Sequence, residues 1–341
     1  MEQFASLSEL EINFINELIT GGAAVDAECA TILEEHLGPS AEFWMAREQQ
    51  YRNSLSRKAM ANTVVSDKEF VGRFPVTDMK KCGWIANTAT LTEKMKSVLD
   101  FFGVNSVSEW QAKFGNAVSV AAFRTSPTIE ANPFAVAAWL RRGEREGEKI
   151  ACSQWNKISL KNKITDMRAL VRVKDPAIFF PKLVEMCASC GVALVIARAP
   201  KGCRASGATR FLTPNKALIV MSFRHRTDDQ FWFTFFHEIA HLVLHTGDAL
   251  FLEDGSEVTE DEEIEANQFA ASILIPDVLR DELASVKCSV KGIVAYTRKV
   301  GLTPGIVVGQ LQHIGRIKYD RFNSMKRRYS WDHAGTPKLI P

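Results

Sequence analysis

The stretch DDQFWFTFFHEIAHLVLH, Asp228 to His245, constrains the fold of this chain more than any other. Thr227 with Gln230 three residues on reads as a capping box, and Asp228 and Asp229 suit the positive end of a helix dipole. From Phe231 onward the run is apolar on every side, which predicts a helix buried all round, with Gly247 placed for a C-terminal cap. Burying two histidines and a glutamate on such a helix is costly unless something compensates them.

A metal ion is one compensation; hydrogen bonds within a core are the plainer one. At about 100° per residue, His237 and His241 lie only about 40° apart and one turn along the axis, so both imidazoles can face one ion. Glu238, turned about 100° from His237, can reach water held there. A hydrolytic zinc site needs a third protein ligand and keeps its fourth position for water. His245 is about 12 Å from His237 along a regular helix, too far to share the ion, and reads as an outer contact or a cap.

The third ligand is better sought in TEDEEIEANQFAASILIP, Thr259 to Pro276. Thr259 and Glu262 form a second capping box, and the helix must stop before Pro276. Glu263, Ala266, Asn267, Ala270 and Leu274 then share the face expected to pack on the first helix, while Glu265 points away with Gln268 and Ser272.

With 341 residues, 46% of them hydrophobic, the chain can bury a sizeable core in more than one domain. No apolar run reaches membrane-spanning length, and the acidic N-terminus lacks a signal-peptide layout, so a cytoplasmic location away from membranes is expected. Seven scattered cysteines suit reduced thiols, and Cys187-x-x-Cys190 reads as a pair of core or surface thiols. The formal charge of +2 is uneven. Residues 1–56 hold ten acidic side chains against Arg47 and Arg52, a net of −8, which leaves +10 on the remainder.

Four regions follow. Residues 1–56 read as short helices broken at Gly21-Gly22 and Gly38-Pro39; residues 57–165 are mainly helical, with a solvated charged run, RRGEREGEK, from Arg141. Residues 166–315 carry a helix ending at Gly191, three β-rich runs (Val192–Arg198, Ala205–Leu212, Ala217–Phe223) and further helices, an α+β layout. Residues 316–341 form a basic tail, read as a packed, solvated C-terminus rather than a nucleic-acid grip.

The motifs FTFFHEIAHLVLH and EEIEANQFAASILIP, in that order, resemble the ImmA/IrrE family of zinc metallopeptidases, over about residues 164–315. The resemblance implies a zincin-like peptidase domain that binds Zn2+ through His237, His241 and Glu263, with Glu238 as general base. It further implies a protein substrate of the transcriptional-repressor or antitoxin kind, and the SGATRFL strand is the candidate edge for it. Residues 14–51, ending in LGPSAEFWMAREQQY, resemble part of a HigA-like helix-turn-helix domain. SELEINFINELITGG, where DNA would be read, has no Lys or Arg, and DNA affinity depends on neutralising phosphates. A degenerate segment serving homodimerisation, packing or partner recognition is therefore expected. SVKGIVAYTRKVGLTPGIVVGQLQHIG, from Ser289, has similar spacing and is read as helices that close the peptidase fold. The alternative for the whole chain is a DNA-binding regulator of antitoxin type whose zinc domain does not cut.

Overall fold

The computed structural model describes residues 2–8, 10–123, 132–245, 260–331 and 337–340, with backbone alone at 2–3, 53–66, 116–123 and 337–338. Gly247 and Thr259, expected as a cap and half of a capping box, lie outside the described residues. The chain divides into two compact units, Met1–Phe70 and Val71–Pro341. No described helix is long and apolar enough to cross a membrane.

The first unit contains α1 (Glu2–Ser8), α2 (Ile12–Thr20), α3 (Ala27–Leu37) and the beginning of α4 (Ala41–Arg73). Ile15, Cys29, Ala30 and Leu33 form its buried interior. Gly21 ends α2 at φ 78°, and a side chain there would collide with the Tyr51 hydroxyl. Arg52 donates to the carbonyls of Gly21 and Ala23, which fixes that turn against α4.

In the second unit, α5 (Val76–Lys81), α6 (Leu91–Phe102), α7 (Val107–Phe123) and α8 (Pro133–Lys149) precede α9 (Lys157–Ala169) and α10 (Pro176–Ala188). A small sheet follows: β1 (Val192–Ile196), β2 (Gly207–Thr213) and β3 (Lys216–Met221), in the order β1-β3-β2. β1 runs parallel to β3 and β2 antiparallel to it, so β2 is an edge. Then come α11 (Asp228–Ala240), α12 (Glu260–Leu274), α13 (Asp277–Ser285), α14 (Val290–Val300) and α15 (Pro304–His313), with β4 (Tyr329–Trp331) and β5 (Pro337–Leu339) closing the chain. Many helices around one small mixed sheet is consistent with the α+β expectation.

Side-chain alternation divides the sheet's surroundings. Leu218 and Val220 face α8, whereas Ala217, Ile219 and Met221 join the core with α10 and α11. The charged run on α8 departs from its expected solvation: Gly143, Glu144 and Gly147 are buried. The reason is steric. A Cβ at Gly143 would come within 2.3 Å of Val220, and one at Gly147 within 2.7 Å of Leu218, so the glycines let α8 lie flat on β3. Arg145, between them, lies over the Phe101 ring and donates to the Phe101 carbonyl, and Glu144 is held by Arg141 and by Arg210 of β2.

α11 is the centre of the core. Trp232, Phe235, Phe236 and Ile239 are wholly buried, each such side chain contributing roughly 1.5–3 kcal/mol by removal from water. Its start differs from expectation. Thr227 makes no side-chain cap. Its backbone bridges Arg328 instead, and the Asp228 N–H donates to the Arg327 carbonyl, so the C-terminal segment takes the place of the cap. The basic tail is accordingly part of the core's closure: Tyr329 is fully buried, and Arg327 donates to the carbonyls of Val171, Arg172 and Val173. Cys187 and Cys190 are both buried, and burial pushes the Cys187 thiol far up, as suits inert core thiols.

Candidate metal centre

α11 brings His237, Glu238 and His241 to the side of the core bounded by α12 and β2. α12 packs on it through Ala266, Ala270 and Leu274, all fully buried, which turns Glu263 toward the histidines. The far end of α12 is anchored by Arg168, whose guanidinium donates to the carbonyls of Ile273 and Leu274 and to that of Val300.

The two imidazoles meet through their Nε2 atoms, 3.1 Å apart. Glu263 Oε2 lies 3.3 Å from His237 Nε2, and Oε1 lies 3.8 Å from His241 Nε2. One ligand atom from each of the three residues lies within 4.8 Å of the others. Bonds of ~2.0–2.1 Å in a tetrahedron place neighbouring ligands about 3.3 Å apart, so the spacing suits three ligands of one small cation.

The outer nitrogens strengthen this fit. His237 Nδ1 is 3.1 Å from Asn267 Oδ1, an atom that only accepts, so Nδ1 carries the proton and Nε2 is bare. His245 Nε2 is 3.2 Å from Glu265 Oε2 and donates to it. In the tautomer that places the His245 proton on Nε2, its Nδ1 accepts from His241 Nδ1, 3.0 Å away, and His241 Nε2 is bare as well. Two bare lone pairs and a carboxylate oxygen converging on one point call for a cation between them.

Two expectations change here. The helix is not regular to its end: His241–His245 forms a π-helical turn. That wider turn carries His245 toward α12, and Glu265, expected to point away, reaches it. His245 still stands outside the three converging donors.

Glu238 is buried at 6% exposure beside the imidazoles. Thr209 of β2 donates its hydroxyl to Glu238 Oε2 at 2.7 Å. Burial raises the Glu238 carboxyl to about 7, against the opposing pull of the Thr209 hydrogen bond and His237. Burial and the neighbouring His237 push His241 down to about 4. Burial also lowers His237, but the carboxylates of Glu263 and Glu238, which favour a second proton on the ring, outweigh that and leave it raised.

Gly207 and Thr209 went unread as site residues in the sequence. Strand alternation in SGATRFL puts both on one face, opposite Arg210, and a Cβ at Gly207 would come within 2.4 Å of Glu238 Oε1. A glycine and a hydroxyl two apart on an edge strand were the available signal.

The fold and the donor set thus define a His-His-Glu centre on two packed helices with a buried carboxylate beside it. Residues 195–287 match the family model of the peptidase M78 group, described as the IrrE N-terminal-like domain. The match spans less than half the chain, includes all four of these residues and supports a metallopeptidase-like function. A search among curated proteins finds no match.

Proposed function

We propose that this chain is a zinc-dependent metallo-endopeptidase of zincin-like build that cleaves a protein regulator of the repressor or antitoxin kind. The observation that carries the reading is the convergence of His237, His241 and Glu263 beside the buried Glu238 and the edge strand β2. Two imidazoles and one carboxylate are a donor set of the hydrolytic zinc type, which leaves a position open. When bound, the ion supplies Lewis acidity, activating water and polarising a carbonyl.

The chain's own residues do the rest. His237, His241 and Glu263 hold the ion, and Asn267 and His245 fix the two rings. Thr209 occupies Glu238 Oε2, which frees Oε1 to take a proton from the attacking water and return it to the departing amine. The open edge of β2 offers backbone groups to an extended peptide, which would lie within reach of Glu238. The first unit, acidic over residues 1–56, serves packing, dimerisation or partner recognition rather than DNA contact.

The test compares wild type with Glu238→Gln in cells under a stress that triggers the response, by cataloguing new protein N-termini. Glu238→Gln should retain metal and lower cleavage by roughly 10²–10⁴-fold, so new termini in a DNA-binding regulator vanish. Identical termini in both strains would mean the centre holds metal without cutting.

A further inference from the structure

At the ends of β1 and β3 lies a second feature that the metal centre does not use. It is a cavity of about 320 Å³, a size that ligand sites commonly have. Five cations line it, Lys81, Arg198, Lys201, Arg224 and Arg226, against the single carboxylate of Asp78. That carboxylate already accepts the Lys201 N–H at 2.6 Å. Among the described residues, none of the five forms an ion pair; Arg224 donates to the Arg204 carbonyl. Like charges gathered in a concavity raise its potential and favour an anion within it.

The backbone is committed to this shape. Phe223 and Arg226 both stand at φ 54°, a conformation that side-chain-bearing residues seldom adopt, and together they set the corner that carries Arg224. Ser222, buried at 1% exposure, is tied to Ser206 across the cavity's edge, its N–H donating to the Ser206 carbonyl at 2.9 Å. Trp331 adds one aromatic wall.

We propose that this cavity binds the phosphate group of a small molecule. Arginine guanidinium groups present planar forks that match phosphate oxygens, and three of the five cations are arginines. The site's position gives the ligand a structural consequence. One wall is the loop from Arg198 to Cys203 that leads into β2, the strand whose Thr209 holds Glu238. The other is the corner from Ser222 to Arg226 that leads into α11. A phosphate bridging the two walls ties together the segments entering both elements.

The test uses the full chain, stripped of metal and returned to chelator-free buffer so that phosphate cannot bind through an ion. Calorimetric titration at physiological ionic strength, where loose counter-ion attraction is screened, follows inorganic phosphate, ADP and uncharged adenosine. One saturable site per chain is expected for the anions and none for adenosine. Arg198→Gln and Arg226→Gln should each weaken binding about tenfold, while Lys161→Gln, on α9 and outside the cavity lining, leaves it unchanged. ADP binding more tightly than phosphate, with the gain lost in Trp331→Ala, assigns a nucleotide; equal affinities assign inorganic phosphate. Should the arginine variants fail to fold, hydrogen exchange on the unaltered chain still decides, since anion should slow exchange at residues 222–227. No saturable binding of either anion, unaltered affinity in a folded Arg198→Gln/Arg226→Gln protein, or unchanged exchange overturns the proposal.

Discussion

The two ends of α11 bury acidic side chains in opposite ways. At its start, Asp228 is fully buried and Asp229 nearly so, yet each is matched by a structural partner. Thr303 donates its hydroxyl to Asp228 Oδ2 at 2.7 Å, and the Arg327 N–H donates to Oδ1 at 3.0 Å. Lys326 Nζ stands 2.6 Å from Asp229 Oδ2, at an angle outside hydrogen-bond geometry, so that contact is an ion pair alone. At the other end, Glu238, His237 and His241 have Thr209, Asn267 and one another, and their free lone pairs point at a common space. Burial of polar groups is common to both ends and so marks neither as functional. The distinguishing feature is whether the acidic groups are met by fixed donors or a fixed cation, as Asp228 and Asp229 are, or left with lone pairs converging on one space.

The comparison breaks most visibly if the convergent end is dismantled. His237→Ala and His241→Ala should each abolish stoichiometric metal, measured by elemental analysis of purified protein, because each removes one of the three donors that converge among the described residues. Glu263→Ala should weaken metal more than Glu265→Ala, whose carboxylate acts through His245 and His241. An outer contact of that kind is worth about 10–100-fold in affinity. Equal losses for the two glutamates would make Glu265 a ligand in its own right and redraw the centre.

The matched end should fail differently, in stability and not in metal content. Lys326→Met leaves the buried Asp229 carboxylate uncompensated and should cost about 3–5 kcal/mol in denaturant unfolding, the usual penalty for half of a buried ion pair. Adding Asp229→Asn to it should recover part of that loss, since no charge is then stranded. A loss under about 1 kcal/mol for the single change would show that water or another cation reaches Asp229, and the proposed contrast between the ends would weaken.

How much of this was legible in sequence follows from the same contrast. Local periodicity sufficed for α11 and for the shared face of Ala266, Ala270 and Leu274 on α12, because both depend on side chains within one helix. The three strands were legible to within about two residues at each boundary. What escaped depends on partners distant in sequence. Thr227 reads locally as a cap, but a segment about a hundred residues downstream claims that position through Arg327 and Arg328. Arg141 to Lys149 reads as solvated because its charges dominate, while the glycines between them are what meet β3. The basic tail reads as packed and solvated, and its packing is the stronger part: Lys326 and Arg327 spend their charge and donors on the core. The π-helical turn at His241–His245 leaves no mark in the motif itself, so Glu265 could not be placed by helical phase.

The smallest expected effect concerns pH and separates the two ends without touching the metal donors. Burial, aided by Asp229, raises the Asp228 carboxyl from 3.8 to about 6, in spite of the hydrogen bond from Thr303. An acid whose folded pKa is raised binds its proton more tightly in the folded state. Its contribution is therefore fully present below the unfolded value and is lost as pH rises through the folded one. The window is about pH 4 to 6, and a shift of some two units is worth on the order of 3 kcal/mol. Asp228→Asn retains an acceptor for the Arg327 N–H and gives Thr303 an amide to meet, but it has nothing to titrate. Relative to wild type, this variant should gain stability as pH rises from 4 to 7, by up to that amount. Glu238 and the histidines titrate alike in both proteins, so the difference between their unfolding free energies isolates Asp228. A difference that stays constant across the window would place the Asp228 charge in contact with solvent and remove it from the matched end of the helix.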